Sequence, residues 1–309
     1  MNNKLIWLGI VTVLLVLGFV LAGRFLGIAT TPKSQTKKLQ ITASFYPLYF
    51  FASQIGNDLV QVQNITPAGA EPHDYEPTTQ DIARIENSDL LILNGAVESW
   101  GDKIKDNLKG KKTKVAVAGE GLLTQQLTEN GQTTLDPHIW LSPPLAKKET
   151  EKISAGIISV DPQHSQVYQD NEKKLATKLD QLDAEYKTGL ANCKQKDIIT
   201  SHAAFGYLAS TYGLNQVPIA GLSPDQEPSA KQLAEVANFA KQHNVKYIFF
   251  EKLVSPKLSE TIASEIGAKT LVLDPLEGLT EDDIKSGKDY FSVMQDNLKN
   301  LQLALQCTS

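Results

Sequence analysis

The chain is poor in metal-binding and redox side chains: its 309 residues include only five histidines and two cysteines. No H-E-x-x-H motif occurs, so the local signature of a helix-borne zinc protease site is absent. Cys193 and Cys307 leave one possible bridge, which an oxidising compartment permits. Such a bridge would close a long loop and contribute about 4–5 kcal/mol through chain entropy. Positive charge is also scarce. The net charge is -5 with no dense Lys/Arg block, which argues against a nucleic-acid partner. No short repeat or low-complexity tract appears.

What is present begins with one long apolar run. Residues 5–23, "LIWLGIVTVLLVLGFVLAG", carry no charge and follow Lys4. As a helix they would measure about 28 Å, close to a bilayer core. The run reads as an export signal or as a membrane-spanning anchor, and its length favours the uncleaved anchor. A lipoprotein signal would place Cys after "LAG", where Arg24 stands, so lipid attachment is not expected. Residues 28–38 then read as a polar tether.

From residue 39 onward strand-like and helix-like segments alternate. "LQITASF", "LVQVQNIT", "DLLILNG" and "TKVAVAG" read as strands of a first lobe. "DIITS", "QVPIAGL", "VKYIFFE" and "AKTLVLD" read as strands of a second. Helical segments separate them, which predicts two α/β lobes with mostly parallel sheets. Between the lobes, residues 165–192 contain no Gly or Pro until Gly189. Val167, Leu175, Leu179, Leu182 and Tyr186 fall on a helical stripe, so a long rigid helix is expected to join the lobes. The expected organisation is signal or anchor over 1–27, tether over 28–38, lobes at 39–164 and 193–309, and the linking helix at 165–192.

The polar residues of interest fall after strands. "EPHDYEP" puts His73 in a proline-stiffened loop after the second strand, and "DPHIW" puts His138 in the loop closing the first lobe. His202 follows "DIITS", Glu251 closes "YIFFE", and Asp274 closes "TLVLD". Ligands of open α/β sheets bind beyond the carboxyl ends of their strands, so a cleft between lobes could collect these five. Asp274, before Pro275, has an alternative role in making a turn, and Glu251 could cap a helix. Three imidazoles and a carboxylate make a tetrahedral set suited to Zn²⁺. His164 and His243 read as surface residues. Glu71, Asp74 and Glu76 are expected to set local potential and turns rather than to bind metal.

The segments "EPHDYEP", "DPHIWLSP", "TSHAAFGYLA", "EPSAKQL" and "LVLDPLEGL" resemble, in order, the signatures of the zinc/manganese solute-binding proteins of bacterial ABC transporters, the ZnuA/TroA-like family. The resemblance implies two α/β lobes joined by one long helix. It places the metal ligands on His73, His138, His202 and Asp274, with Glu251 accepting a hydrogen bond from a ligand histidine. Histidine at position 202, where manganese-type members carry Glu, favours zinc, with manganese as the alternative. The expected function is extracytoplasmic ion capture and delivery to a membrane permease, by a monomer and without catalysis. Rival readings are an exported zinc hydrolase, with Glu251 as base, and a metal-binding surface adhesin. Unlike some zinc members, the chain has no further histidine in "GEGLLTQQLTENGQTTLDPH" before His138.

Overall fold

The computed structural model describes residues 38–129 and 131–308, which belong to one compact unit. The apolar run at 5–23 and residues 28–37 of the expected tether lie outside the described residues. Among the described residues no helix is long and apolar enough to cross a membrane.

The first sheet contains β1 (Leu39–Ala43), β2 (Val60–Asn64), β3 (Leu90–Leu93) and β4 (Lys114–Val117), in the order β2-β1-β3-β4. The second contains β7 (Asp197–Thr200), β8 (Asn215–Pro218), β9 (Tyr247–Phe250) and β10 (Lys269–Val272), in the order β10-β9-β7-β8. Every neighbouring pair within these two sheets is parallel. All four residues of β3, "LLIL", are buried, as a central parallel strand covered on both faces requires. The helices that cover the first sheet include α1 (Tyr46–Gly56), α2 (Thr79–Asn87) and α3 (Gly101–Leu108). Thr78 caps α2 by accepting the Asp81 N–H, while the Asp81 carboxylate accepts the Thr78 N–H.

The segment between the sheets holds more structure than the periodicity reading marks. An antiparallel hairpin, β5 (Gln126–Glu129) and β6 (Gln132–Leu135), precedes the 18-residue helix α4 (Pro143–Val160). Helix α5 (Ser165–Gly189) follows, 25 residues long. Its buried stripe is Tyr168, Leu175, Leu179, Leu182 and Tyr186, whereas Val167 is 45% exposed. The expected stripe was therefore misplaced by one residue at its start. Tyr168 lies two turns before Leu175 and shares its face; Val167 is rotated by roughly 100° from Tyr168.

The second half carries α6 (Gly206–Tyr212), α7 (Ala230–Gln242), α8 (Lys257–Ile266), α9 (Glu281–Lys285) and α10 (Tyr290–Ala304). Helix α5 packs on α4, α1 and α10. One apolar cluster runs from Ile41 and Ile92 through Leu179 and Tyr186 to Ile198, Phe249 and Leu273. The two sheets thus share a continuous core, and wide separation of them would expose it to water.

A disulfide joins Cys193, just beyond α5, to Cys307, just beyond α10, across 114 residues. Backbone bonds from Gln195 to Leu305 and from Thr308 to Asn192 flank it. The double variant Cys193→Ser/Cys307→Ser should lose about 2–5 kcal/mol in urea unfolding. Reductant should lower the stability of the wild type similarly and leave that of the variant unchanged.

Candidate metal centre

The carboxyl ends of the two parallel sheets supply three of the residues, and the segment after the hairpin supplies the fourth. His73 lies on the loop after β2, and His138 begins the turn after the hairpin. His202 follows β7 by two residues, and Glu277 sits on the segment after β10. One ligand atom from each of these four lies within 4.8 Å of all the others. The sequence reading selected the three histidines but not Glu277.

Five of the six separations among these atoms are close to the edges of a tetrahedron. His138 Nε2 is 3.3 Å from His73 Nε2 and 3.3 Å from His202 Nε2. Glu277 Oε1 lies 3.2 Å from His73 Nε2, 3.0 Å from His138 Nε2 and 3.3 Å from His202 Nε2. With metal–ligand bonds of about 2.0–2.1 Å, a regular tetrahedron has edges of about 3.3–3.4 Å. These contacts therefore match the atom-to-atom spacing of a four-coordinate Zn²⁺ shell.

Two of the imidazoles are oriented from behind. His138 Nδ1–H donates to Asp136 Oδ1 at 2.8 Å, and the same oxygen accepts the His138 backbone N–H at 2.9 Å. His202 Nδ1–H donates to Glu251 Oε1 at 2.8 Å, and that oxygen accepts the His202 N–H at 3.2 Å. Each bond holds a proton on Nδ1, so that the neutral ring presents its Nε2 lone pair to the cluster once the second proton has left. Glu251 is therefore not among the four converging residues. Asp136, which the sequence reading passed over, serves His138 as Glu251 serves His202.

Electrostatics bind the cluster into one unit. Burial would raise the Glu277 pKa, but the positive His202 and hydrogen bonds from the three imidazoles outweigh it and hold the carboxyl well below its ordinary value. Burial opposes charge on His202, yet the carboxylates of Glu251 and Glu277 raise its pKa well above the usual histidine value. His138 is likewise raised, against burial, by Asp136 and Glu277. His73 is lowered, chiefly by burial. Glu71 accepts the His73 N–H at 3.1 Å. Burial and the nearby charge of Glu277 push the Glu71 pKa up to about 9, so it is a neutral acid at neutral pH.

The expected placement of Asp274 in the ligand set is corrected by the geometry. Its Oδ1 accepts the Leu276 N–H at 2.9 Å, and its Oδ2 faces Lys252 Nζ at 3.7 Å. Its backbone is held on both sides by the Asn297 amide, at 2.9 and 2.7 Å. The carboxylate closes a turn in which Leu276 takes a φ of +58°, and this turn delivers Glu277 to the histidines. Trp140 Nε1–H donates to Pro275 O at 2.7 Å and pins the same turn from the other side of the site. "LVLDPLEGL" contains two acids three residues apart. An Asp immediately before Pro was the available sign that the first makes the turn and the second reaches the site.

Access is one-sided. The His73 side chain retains 9% exposure, while those of His138, His202 and Glu277 retain none. His73 borders a cavity of about 750 Å³ whose walls include Leu127, Thr134 and Leu135 of the hairpin, and Ile219 and Glu227 beyond β8.

Comparison with known proteins bears on what such a site does. The chain is 42% identical over 307 residues to the high-affinity zinc uptake system protein ZnuA of Bacillus subtilis, covering 93% of this chain and 96% of that protein. It is 40% identical over 294 residues to the zinc-binding lipoprotein AdcA of Streptococcus pneumoniae, covering 91% of this chain but 59% of AdcA. The crystal structure of the Zn(II)-bound ZnuA-like domain of the S. pneumoniae protein superposes with a TM-score of 0.75 at 42% identity, covering 87% of this chain and 99% of that domain. Residues 41–304 match the family model described as zinc-uptake complex component A, periplasmic. The chain belongs to this family of periplasmic zinc-uptake components.

Proposed function

We propose that the protein captures Zn²⁺ outside the cytoplasm and delivers it to the membrane permease of an ABC transporter, with His73, His138, His202 and Glu277 as ligands. The observation that carries this reading is the set of 3.0–3.3 Å contacts from His138 Nε2 and Glu277 Oε1 to the cluster. Three imidazoles and one carboxylate suit zinc, whereas manganese favours oxygen-rich octahedral sites. The zinc-uptake relatives support the same choice of ion.

The site favours binding over hydrolysis. A catalytic zinc needs an open coordination position and a nearby base. Four protein atoms within 4.8 Å of one another are available to fill a four-coordinate shell, and Glu251 is engaged by His202, which supports binding. Exchange with the permease proceeds at His73, the least buried ligand. The shared core limits the movement to loops beside the cavity rather than wide opening of the sheets. The protein acts as a monomer, held at the outer membrane face if the apolar run at 5–23 is retained.

His202→Ala and Glu277→Gln should each weaken zinc binding by more than the roughly 10–100-fold that loss of an outer partner costs. Asp274→Asn should keep zinc affinity within about threefold of wild type while lowering the melting temperature. Competition titration against a fluorescent chelator checks both outcomes; a loss for Asp274→Asn equal to that for Glu277→Gln would restore Asp274 to the ligand set.

Affinity should also fall with pH. Zinc binds neutral imidazoles, so it must displace protons that the carboxylates hold on His138 and His202 in the free protein. The loss begins above the ordinary histidine pKa and deepens as pH falls. Glu277, held well below the ordinary carboxyl value, stays ionised and does not set that limit. Calorimetry at pH 8 and pH 6 should show weaker binding at the lower pH and release of protons on binding.

A further inference from the structure

A second element contributes to the His138 geometry from across the molecule. The strap that carries Asp136 and His138 includes the hairpin, and it is fastened at its base to α6. Tyr207 Oη accepts the Thr124 N–H at 2.8 Å and the Gln125 N–H at 3.0 Å, and donates its proton to Asp136 O at 3.2 Å. One hydroxyl therefore holds both ends of the strap, at residues 124–125 and at 136. The Asp136 N–H also donates to Gln125 O at 2.9 Å, closing the base of the hairpin. Tyr207 is 2% exposed and Asp136 is 4% exposed, so water is a poor substitute for these bonds. Gly206 makes the approach possible. A Cβ there would lie 2.7 Å from Gln125 Oε1 and 2.8 Å from Asp136 Oδ2.

We propose that Tyr207 is the positioning residue that aims His138 into the metal centre, by holding through its hydroxyl the strap that bears Asp136. The proposal rests on the zinc-site reading given above. The chain of contacts is short: Tyr207 Oη fixes the Asp136 backbone, and Asp136 Oδ1 takes both the Nδ1–H and the backbone N–H of His138. His202 lies five residues before Tyr207 in the same segment. That segment thus supplies one ligand directly and orients another contributed by the first half of the chain. A shift of α6 would disturb two of the three imidazoles together. The same fastening sets the hairpin that walls the cavity beside His73.

Full-length wild type, Tyr207→Phe and Ser210→Ala are compared. Ser210 accepts the Gln125 side-chain N–H at 2.8 Å, so it belongs to the same seam but has no bond to Asp136. Cobalt(II) is the spectroscopic probe, its visible bands reporting tetrahedral geometry, and zinc release to an excess of chelator is followed by stopped flow. The expected result is altered cobalt bands and zinc release on the order of 10-fold faster in Tyr207→Phe, with Ser210→Ala like wild type. Wild-type bands and release in Tyr207→Phe would overturn the proposal, as would equal effects of both variants, which would indicate a general weakening of the seam. If Tyr207→Phe does not fold, hydrogen exchange of the Thr124 and Gln125 amides, both bound to the Tyr207 hydroxyl, takes its place in metal-free and zinc-loaded wild type. Exchange that slows on zinc loading supports the proposal, and exchange indifferent to zinc overturns it. A wild type that holds neither cobalt nor zinc would overturn the reading of the site itself, a separate outcome.

Discussion

A single carboxylate oxygen, Glu277 Oε1, lies 3.0–3.3 Å from the Nε2 atoms of three imidazoles, and the site is organised around it. A buried carboxylate without compensation is costly. Here the compensation comes from the imidazoles, two of which have raised pKa values because carboxylates lie on both sides of their rings. Before metal arrives, protons on the rings offset the negative charge. When Zn²⁺ binds, it replaces those protons with a divalent charge at nearly the same place. The preorganisation is therefore electrostatic as well as steric, and a neighbour that keeps its own proton, Glu71, adds no further negative charge at neutral pH.

The fold supplies the convergence. Parallel sheets direct their carboxyl ends towards one edge, and His73, His202 and Glu277 come from loops beyond such ends, with His138 added by the segment after the hairpin. No two of them are close in sequence, so their alignment depends on how the two halves pack. Trp140 shows how closely the halves are joined. Its Nε1–H donates to Pro275 O, its backbone carbonyl accepts the Tyr290 hydroxyl proton at 2.5 Å, and its ring packs edge-on against Phe45 at 4.8 Å. Helix α5 and a continuous apolar core stand behind this junction.

Much of this was legible in the chain. Alternating apolar segments marked all eight strands of the two parallel sheets, and the Gly- and Pro-free stretch marked α5. Pro-His loops and the position after "DIITS" marked His73, His138 and His202. What escaped had physical reasons. The hairpin's strands, "QLTE" and "QTTL", are mostly polar, and Gln126, Thr128, Thr133, Thr134 and Leu135 are exposed, without the burial that makes a strand visible in hydrophobic pattern. Helix α4 buries one face, but that face includes Glu149, Thr150 and Ser154, so its stripe is broken in the hydrophobic pattern. Glu277 was not singled out: the Asp-Pro pair hints that Asp274 makes a turn, but the delivery of Glu277 depends on the local backbone, with Leu276 at positive φ. Asp136 was hidden because its value lies in a bond to the ring two residues later, not in any direct reach to the metal centre.

The central claim is that three imidazoles and the Glu277 carboxylate surround the ion. X-ray absorption at the zinc K edge, on zinc-loaded protein, tests it most directly. The account predicts four nitrogen or oxygen neighbours at about 2.0–2.1 Å with the outer-shell scattering of three imidazoles. Glu277→Gln should alter the first shell, while Asp274→Asn should leave it unchanged. A six-coordinate, oxygen-dominated shell, or a spectrum sensitive to Asp274→Asn and indifferent to Glu277→Gln, would contradict it.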